Sequence, residues 1–161
     1  VILPTPMLLL GMHPQPEVEV ALGRAYNRWL SEVILPQDDR IKGLAYLPFN
    51  DPEASYEVAR ELADAPGIIG FTVTSTRNRP VHDNAYMKLY RLLEETGKPL
   101  SFHAGFHWGD PSQLQLNRFL SMHAITFVYY NMLHVTNWVI NGIPERFPKL
   151  KVIWVWPGCR S

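Results

Sequence analysis

Lys98-Pro99-Leu100-Ser101-Phe102-His103-Ala104-Gly105 is the stretch on which the fold of this chain turns. A helical pattern leads into a short apolar run that ends on a histidine, and α/β barrels keep their chemistry at the C-terminal ends of their strands. Side chains alternate along a strand, so Ser101, His103 and Gly105 share one face and Phe102 takes the other. His103 is therefore expected to point away from the helical layer, level with strand ends near Leu47, Thr74 and Val155. Further on, Asn141-Gly142-Ile143-Pro144-Glu145-Arg146-Phe147-Pro148-Lys149-Leu150-Lys151-Val152-Ile153 repeats the arrangement: helix end, Pro-punctuated turn, β-branched strand.

Outward from these segments, apolar runs of strand length alternate with helical patterns, the βαβ signature. Residues 2–10 read as a weak strand or an extended loop, with Pro4 and Pro6 arguing against a central position. Pro16 opens a helix with an apolar stripe of Val18, Ala21, Leu22, Ala25, Tyr26, Trp29 and Leu30. Residues 41–47 read as a strand. Asp51 caps the next helix with Pro52 at its first position, turning Ala54, Val58, Ala59 and Leu62 inward. Ile68-Ile69-Gly70-Phe71-Thr72-Val73-Thr74 is the clearest strand. Asp83 caps a helix that runs to Thr96 with Gly97 as its C-terminal cap. Residues 100–104 form a strand, 111–140 are mostly helix, and 150–155 form the last strand.

The chain has 161 residues with 47% apolar content, enough for one domain. Fifteen basic residues balance fifteen acidic ones, so no electrostatic case exists for a nucleic-acid or membrane-surface partner. The single Cys159 has no internal disulfide partner and suits a reducing, cytoplasmic compartment. No window reaches the ~18 uninterrupted apolar residues of a membrane span. The apolar opening lacks a basic lead-in and carries two prolines, so it reads as the middle of a protein rather than a signal peptide.

Four firm strands and one weak one, joined by helices, are too few for an eight-stranded barrel, which typically needs about 250 residues. An open doubly wound sheet would be complete at this size, yet no G-x-G-x-x-G phosphate loop is present. The fold class expected is α/β: part of a (β/α)8 barrel, roughly strands two to six, in one incomplete domain over residues 1–161. Its bounding strands, near residues 2–10 and 150–155, would then be edges. Trp154 and Trp156 would share one face at that boundary.

Several pieces in running order carry a resemblance to a known family. They are Arg24-Ala25-Tyr26-Asn27-Arg28-Trp29-Leu30, Arg40-Ile41-Lys42-Gly43-Leu44-Ala45-Tyr46-Leu47-Pro48-Phe49-Asn50-Asp51-Pro52, Val81-His82-Asp83-Asn84-Ala85-Tyr86, Glu94-Glu95-Thr96-Gly97-Lys98-Pro99-Leu100-Ser101-Phe102-His103 and Glu145-Arg146-Phe147-Pro148-Lys149-Leu150-Lys151. In this order the chain resembles the amidohydrolase-related family of metal-dependent hydrolases and decarboxylases, relatives of aminocarboxymuconate-semialdehyde and resorcylate decarboxylases. The resemblance implies a barrel, a divalent metal (zinc or manganese), and His103 as one of its ligands. It also implies a ligand pair on the first strand and an aspartate near the barrel end. Neither flank is present, and Trp156 stands where relatives carry a histidine or an acid. One imidazole does not make a catalytic metal site, which generally uses three protein ligands. The chain alone is expected to hold no metal and to be inactive.

Two functions stay open. The first is an enzyme segment that hydrolyses or decarboxylates a small, aromatic or unsaturated carboxylic acid, with Arg77, His107 and Trp108 as substrate-binding residues. The second is a barrel-derived scaffold or oligomerisation module that has lost its metal. The partners expected are a small-molecule substrate and further copies of the chain. Arg77 and Arg79 follow the strand 68–74 and could clamp a carboxylate bidentately. His103, His107 and Asp110 have metal-like spacing, but Gly105, Gly109 and Pro111 argue against the helix that would align them. His123 and His134, three helical turns apart, suit core hydrogen bonding on a packed or subunit-facing helix. His82 reads as structural.

Overall fold

Ile68–Thr74 forms the longest strand, and in the computed structural model it lies at the centre of a parallel sheet. Residues 1–75, 78–105 and 109–155 are described. In chain order the strands are β1 (Gly43–Tyr46), β2 (Ile68–Thr74), β3 (Leu100–His103) and β4 (Val152–Val155), adjacent in that same order. The helices are α1 (Pro16–Trp29), α2 (Pro52–Leu62), α3 (Met87–Thr96), α4 (Phe119–Ile140) and the short α5 (Ile143–Arg146). A helix precedes every strand, the arrangement that parallel pairing requires.

The expected caps are in place. Asp51 accepts a hydrogen bond from the Ala54 N–H at 2.9 Å with Pro52 at the first helical position, satisfying one of the donors that a helix start leaves unpaired. Asp83 accepts from the Ala85 N–H ahead of a 3₁₀ turn that leads into α3. Gly97 closes α3 at φ +68°, a left-handed conformation that a side chain would strain.

Register decides which side chains share a face. Thr72 pairs with Ser101 and Ser101 with Ile153; Thr74 pairs with His103 and His103 with Val155. The intervening residues face the helices. Phe102 stacks on Trp154 at 4.5 Å between ring centroids and meets Trp138 of α4 at 5.9 Å. Phe49 meets Phe102 edge-on at 5.8 Å and stacks on Tyr86 at 3.9 Å. Tyr90 adds further edge contacts to Trp138 and Phe147. Trp154 is thus part of this aromatic core rather than a bare boundary, because its register partner is Phe102 and not His103. Trp156 lies outside the described residues.

Two expectations fail for physical reasons. Residues 2–10 are not a strand: only Ile2 joins the sheet, as a single bridge to Gly43, and Thr5–Met7 and Leu10–Met12 turn as 3₁₀ helices where Pro4 and Pro6 interrupt the ladder. The stripe assigned to α1 is also displaced. Leu22 and Trp29 are about half exposed, while Glu19, Gly23, Tyr26 and Asn27 are buried. Gly23 sets this rotation, because a Cβ there would stand 2.8 Å from the Tyr46 ring. Asn27 then closes the outer edge of β1, donating to the Tyr46 carbonyl at 2.8 Å and accepting from the Tyr46 N–H at 2.7 Å.

Among the described residues Phe102 meets the rings of Phe49, His134, Trp138 and Trp154, and deleting its ring leaves a cavity between them. Phe102→Ala is expected to lower unfolding free energy by about 3–5 kcal/mol, seen as a reduced urea midpoint at unchanged m-value.

Candidate functional site

His103 ends β3 on the face opposite Phe102. It is half-buried and, with Thr72 and Thr74 of β2 and with Leu3, Pro4, Thr5 and Leu8, lines a cavity of about 10 Å³, a space of the order of one water molecule. Its Nδ1 lies 3.0 Å from the Ala104 carbonyl. A carbonyl only accepts, so Nδ1 carries the proton and Nε2 keeps its lone pair, the tautomer suited to accept a proton or bind a cation. Burial lowers the pKa of His103 below its usual 6.5, against a smaller opposing effect of backbone hydrogen bonds. The ring is therefore neutral near pH 7. Phe127 of α4 approaches it edge-on at 6.1 Å.

Around His103 the same face carries hydroxyls. Thr72 Oγ1 and Ser101 Oγ, register partners on β2 and β3, are buried without a hydrogen-bond partner. Such groups cost free energy unless something supplies a partner. Thr74 Oγ1 donates to the Met7 carbonyl at 2.8 Å. Ser75 sits just past the end of β2 at φ +50°, unusual for a side-chain-bearing residue. Its N–H reaches the His103 carbonyl at 3.0 Å, and its hydroxyl donates to the Leu8 carbonyl.

Beside this lies a buried acid that the sequence pattern did not reveal. Glu19 of α1 is fully buried and accepts from the Tyr46 hydroxyl at 2.8 Å, the Phe49 N–H at 3.0 Å and the Asn50 N–H at 3.1 Å. It ties α1 to the C-terminal end of β1. Desolvation raises its pKa above 4.5, with its hydrogen bonds opposing. Burial, then the nearby Glu19, push the Tyr46 phenol far above its usual 10, so it stays a donor. The Glu-between-valines pattern, Val18-Glu19-Val20, is the one trace of this in the sequence.

Other candidates disperse. Arg79 pairs with Asp83 at 3.0 Å and lines a cavity of about 280 Å³ with His13, Pro14, Pro16, Asn50 and Asn78. Arg77, His107 and Trp108 lie outside the described residues. His134 is buried on α4 as expected, but His123 is exposed, its ring against Phe119 and Phe127. The two share a helical face, yet His123 is exposed although Met122, Thr126 and Phe127 around it are buried, so the covered side of α4 is not the same along its length. His82 Nδ1 is buried without a partner in its turn. Among the described residues no three His, Cys, Asp or Glu side chains converge to hold a metal. His103 can donate one lone pair, and the described residues do not complete a divalent-ion site.

A parallel α/β sheet with a neutral histidine at the C-terminal end of a strand has the layout in which α/β barrels keep their chemistry. The amidohydrolase family model matches residues 10–155, and the chain belongs to that family. Among solved structures it is similar to 2,6-dihydroxybenzoate decarboxylase from Rhizobium, with 18% identity, TM-score 0.74, and coverage of 88% of this chain and 46% of the other. It is similar to 5-carboxyvanillate decarboxylase from Sphingomonas paucimobilis, with 20% identity, TM-score 0.70, and coverage of 88% and 42%. The 5-carboxyvanillate decarboxylase from Novosphingobium aromaticivorans, complexed with manganese and 4-hydroxy-3-methoxy-5-nitrobenzoic acid, matches at 22% identity and TM-score 0.70, covering 86% and 40%. The chain spans less than half the length of each of these relatives.

The sign of Glu19's effect on stability follows from its raised pKa. The folded chain holds that proton more tightly than the unfolded one. The resulting stability is fully present below pH 4.5 and is lost as pH rises through the folded value. Glu19→Gln is expected to abolish this slope, measured as the difference in urea midpoints between variant and parent across that window. It should also destabilise by about 1–3 kcal/mol, because the amide nitrogen that replaces Oε2 cannot accept from the Asn50 N–H.

Proposed function

We propose that this chain is the His103-bearing portion, roughly strands two to six in one domain over residues 1–161, of a metal-dependent amidohydrolase-like enzyme. Its substrate is a small aromatic or unsaturated carboxylic acid, and its reaction is decarboxylation or hydrolysis. The observation that carries this is His103 itself: a neutral imidazole with a free Nε2 lone pair at a strand end, on the same face as the unpartnered hydroxyls of Thr72 and Ser101. Family membership and the aromatic-acid decarboxylases among similar folds support the substrate class.

In this proposal the Ala104 carbonyl holds His103 in the tautomer that frees Nε2. The hydroxyls of Thr72 and Ser101 give a substrate oxygen the partners that they themselves lack. Arg79, at the same end of the sheet beside His13, Asn50 and Asn78, draws a carboxylate toward it. Arg77, His107 and Trp108 are the further substrate contacts. A divalent ion, zinc or manganese, would when bound polarise a substrate oxygen. This chain contributes one ligand to it, and the 161 residues alone are inactive. The protein works in the cytoplasm on small molecules, without nucleic-acid or membrane partners, as a homo-oligomer.

The test is metal analysis and turnover of the full-length protein. Reconstitution with manganese or zinc is expected to give near-stoichiometric metal and release of carbon dioxide from, or hydrolysis of, a dihydroxybenzoate-type acid. His103→Ala should weaken metal binding on the order of a hundredfold or more with the circular-dichroism spectrum unchanged. A folded protein that stays metal-free on reconstitution would sink the proposal and favour the scaffold that has lost its metal.

A further inference from the structure

His103 faces a space of about 10 Å³, whereas a single aromatic ring needs a cavity of about 150 Å³. Among the described residues around that space, Thr72, Thr74 and His103 belong to the sheet, and Leu3, Pro4, Thr5 and Leu8 all belong to one segment that crosses the strand ends. Further chain around this space would add walls and remove none. The segment is pinned at both ends. Ile2 donates to the Lys42 carbonyl at 2.7 Å and accepts from the Leu44 N–H at 3.1 Å. At the other end Leu10 is buried, and Asn50 donates to the Gly11 carbonyl at 2.8 Å. Between these anchors, residues 3–9 hold no regular element beyond the 3₁₀ turn Thr5–Met7. Two side chains keep them down: Thr74 Oγ1 donates to the Met7 carbonyl at 2.8 Å, and the Ser75 hydroxyl donates to the Leu8 carbonyl.

We infer that residues 3–9 are a hinged flap that shuts the His103 site in this structure and lifts from Thr74 and Ser75 before a carboxylic acid reaches the imidazole. Its hinges are Ile2 on one side and Leu10 with Gly11 on the other, short segments of the kind that absorb lid motion. Two features set the flap near balance. Closure lays Leu3, Pro4 and Leu8 over Thr72, whose Oγ1 is left without a partner, a cost that water or a substrate oxygen removes on opening. Thr74 also has a second acceptor within reach. The Tyr46 hydroxyl oxygen lies 3.5 Å from Thr74 Oγ1, and Tyr46 gives its own proton to Glu19. A Thr74 hydroxyl released from Met7 therefore still has an oxygen to which it can donate. The inference rests on the reading of His103 as the site and adds how that site is reached.

Hydrogen exchange of the full-length protein, followed by mass spectrometry, tests the flap without turnover. Where closing outpaces exchange, the rate follows the open population. Thr74→Val removes one latch and should speed exchange in peptides spanning residues 3–9 roughly fivefold to tenfold, with α3 unchanged. Ser75→Ala removes the other latch and should do the same, which keeps the test open if Thr74→Val misfolds. Gly105→Ala works from beneath: a Cβ there would stand 2.8 Å from the Leu8 carbonyl oxygen, wedging the flap up with a similar rise. The probe 2,6-dihydroxybenzoate should associate with Thr74→Val faster than with the parent by the same factor, since apparent affinity scales with the competent population. Expected exchange without any binding of that acid upholds the flap and sinks the substrate reading instead. Exchange over residues 3–9 that all three variants leave unchanged overturns the inference, because the segment is then a fixed wall. A parent whose residues 3–9 exchange as fast as an unstructured peptide also overturns it, because nothing then covers His103.

Discussion

Phe102 stacked on Trp154 and wedged against Trp138 is the contact on which the remaining structure depends. Burial of these rings supplies a large apolar gain at one point and joins β3, β4 and α4 there. Because strand side chains alternate, seating Phe102 among the helices obliges Ser101 and His103 to face the other way. The position of the candidate metal ligand thus follows from a packing requirement one residue away. A one-residue register slip would bury His103 among aromatic rings and expose Phe102, so the core enforces the site.

The other face of the sheet is organised by polar contacts. Residues 3–11 lie along the C-terminal ends of the strands, where Met7 and Leu8 carbonyls accept from Thr74 and Ser75, and Asn50 reaches the Gly11 carbonyl at 2.8 Å. Glu19 gathers the Tyr46 hydroxyl and two backbone N–H groups beyond β1. A buried carboxylate with this many donors is tolerable where an isolated one would not be. Against this satisfied network the hydroxyls of Thr72 and Ser101 stand out as groups still lacking a partner. Chain connectivity explains why polar bonds concentrate at this end. Loops after each strand meet here, and their backbone groups need partners that the sheet does not supply.

The outer layer shows the same logic in reverse. α2 and α3 turn charged residues outward and exchange surface ion pairs such as Lys88 with Glu53 at 2.8 Å, each worth little to stability. α4 has no such residues. Ile125, Met132, Val139 and Ile140 on its outer side are exposed instead, and no helix among the described residues is long and apolar enough to cross a membrane.

Local signals made much of this legible. The strand Ile68–Thr74, the caps at Asp51, Asp83 and Gly97, and the alternation that places His103 are set by short-range chemistry: a carboxylate within reach of a free N–H, a glycine able to take positive φ, a period of two. The resemblance in ordered segments carried the family. What tertiary structure decided lies where residues distant in sequence meet. Gly23 rotates α1 because the Tyr46 ring needs its space, and that rotation buries Glu19 and Asn27 while exposing Leu22 and Trp29. His123 and His134 share a helical face, yet the side of α4 that is covered shifts along the helix, burying Met122 and Thr126 beside an exposed His123. Periodicity records which residues point the same way; which face is then covered depends on a neighbour that periodicity does not name.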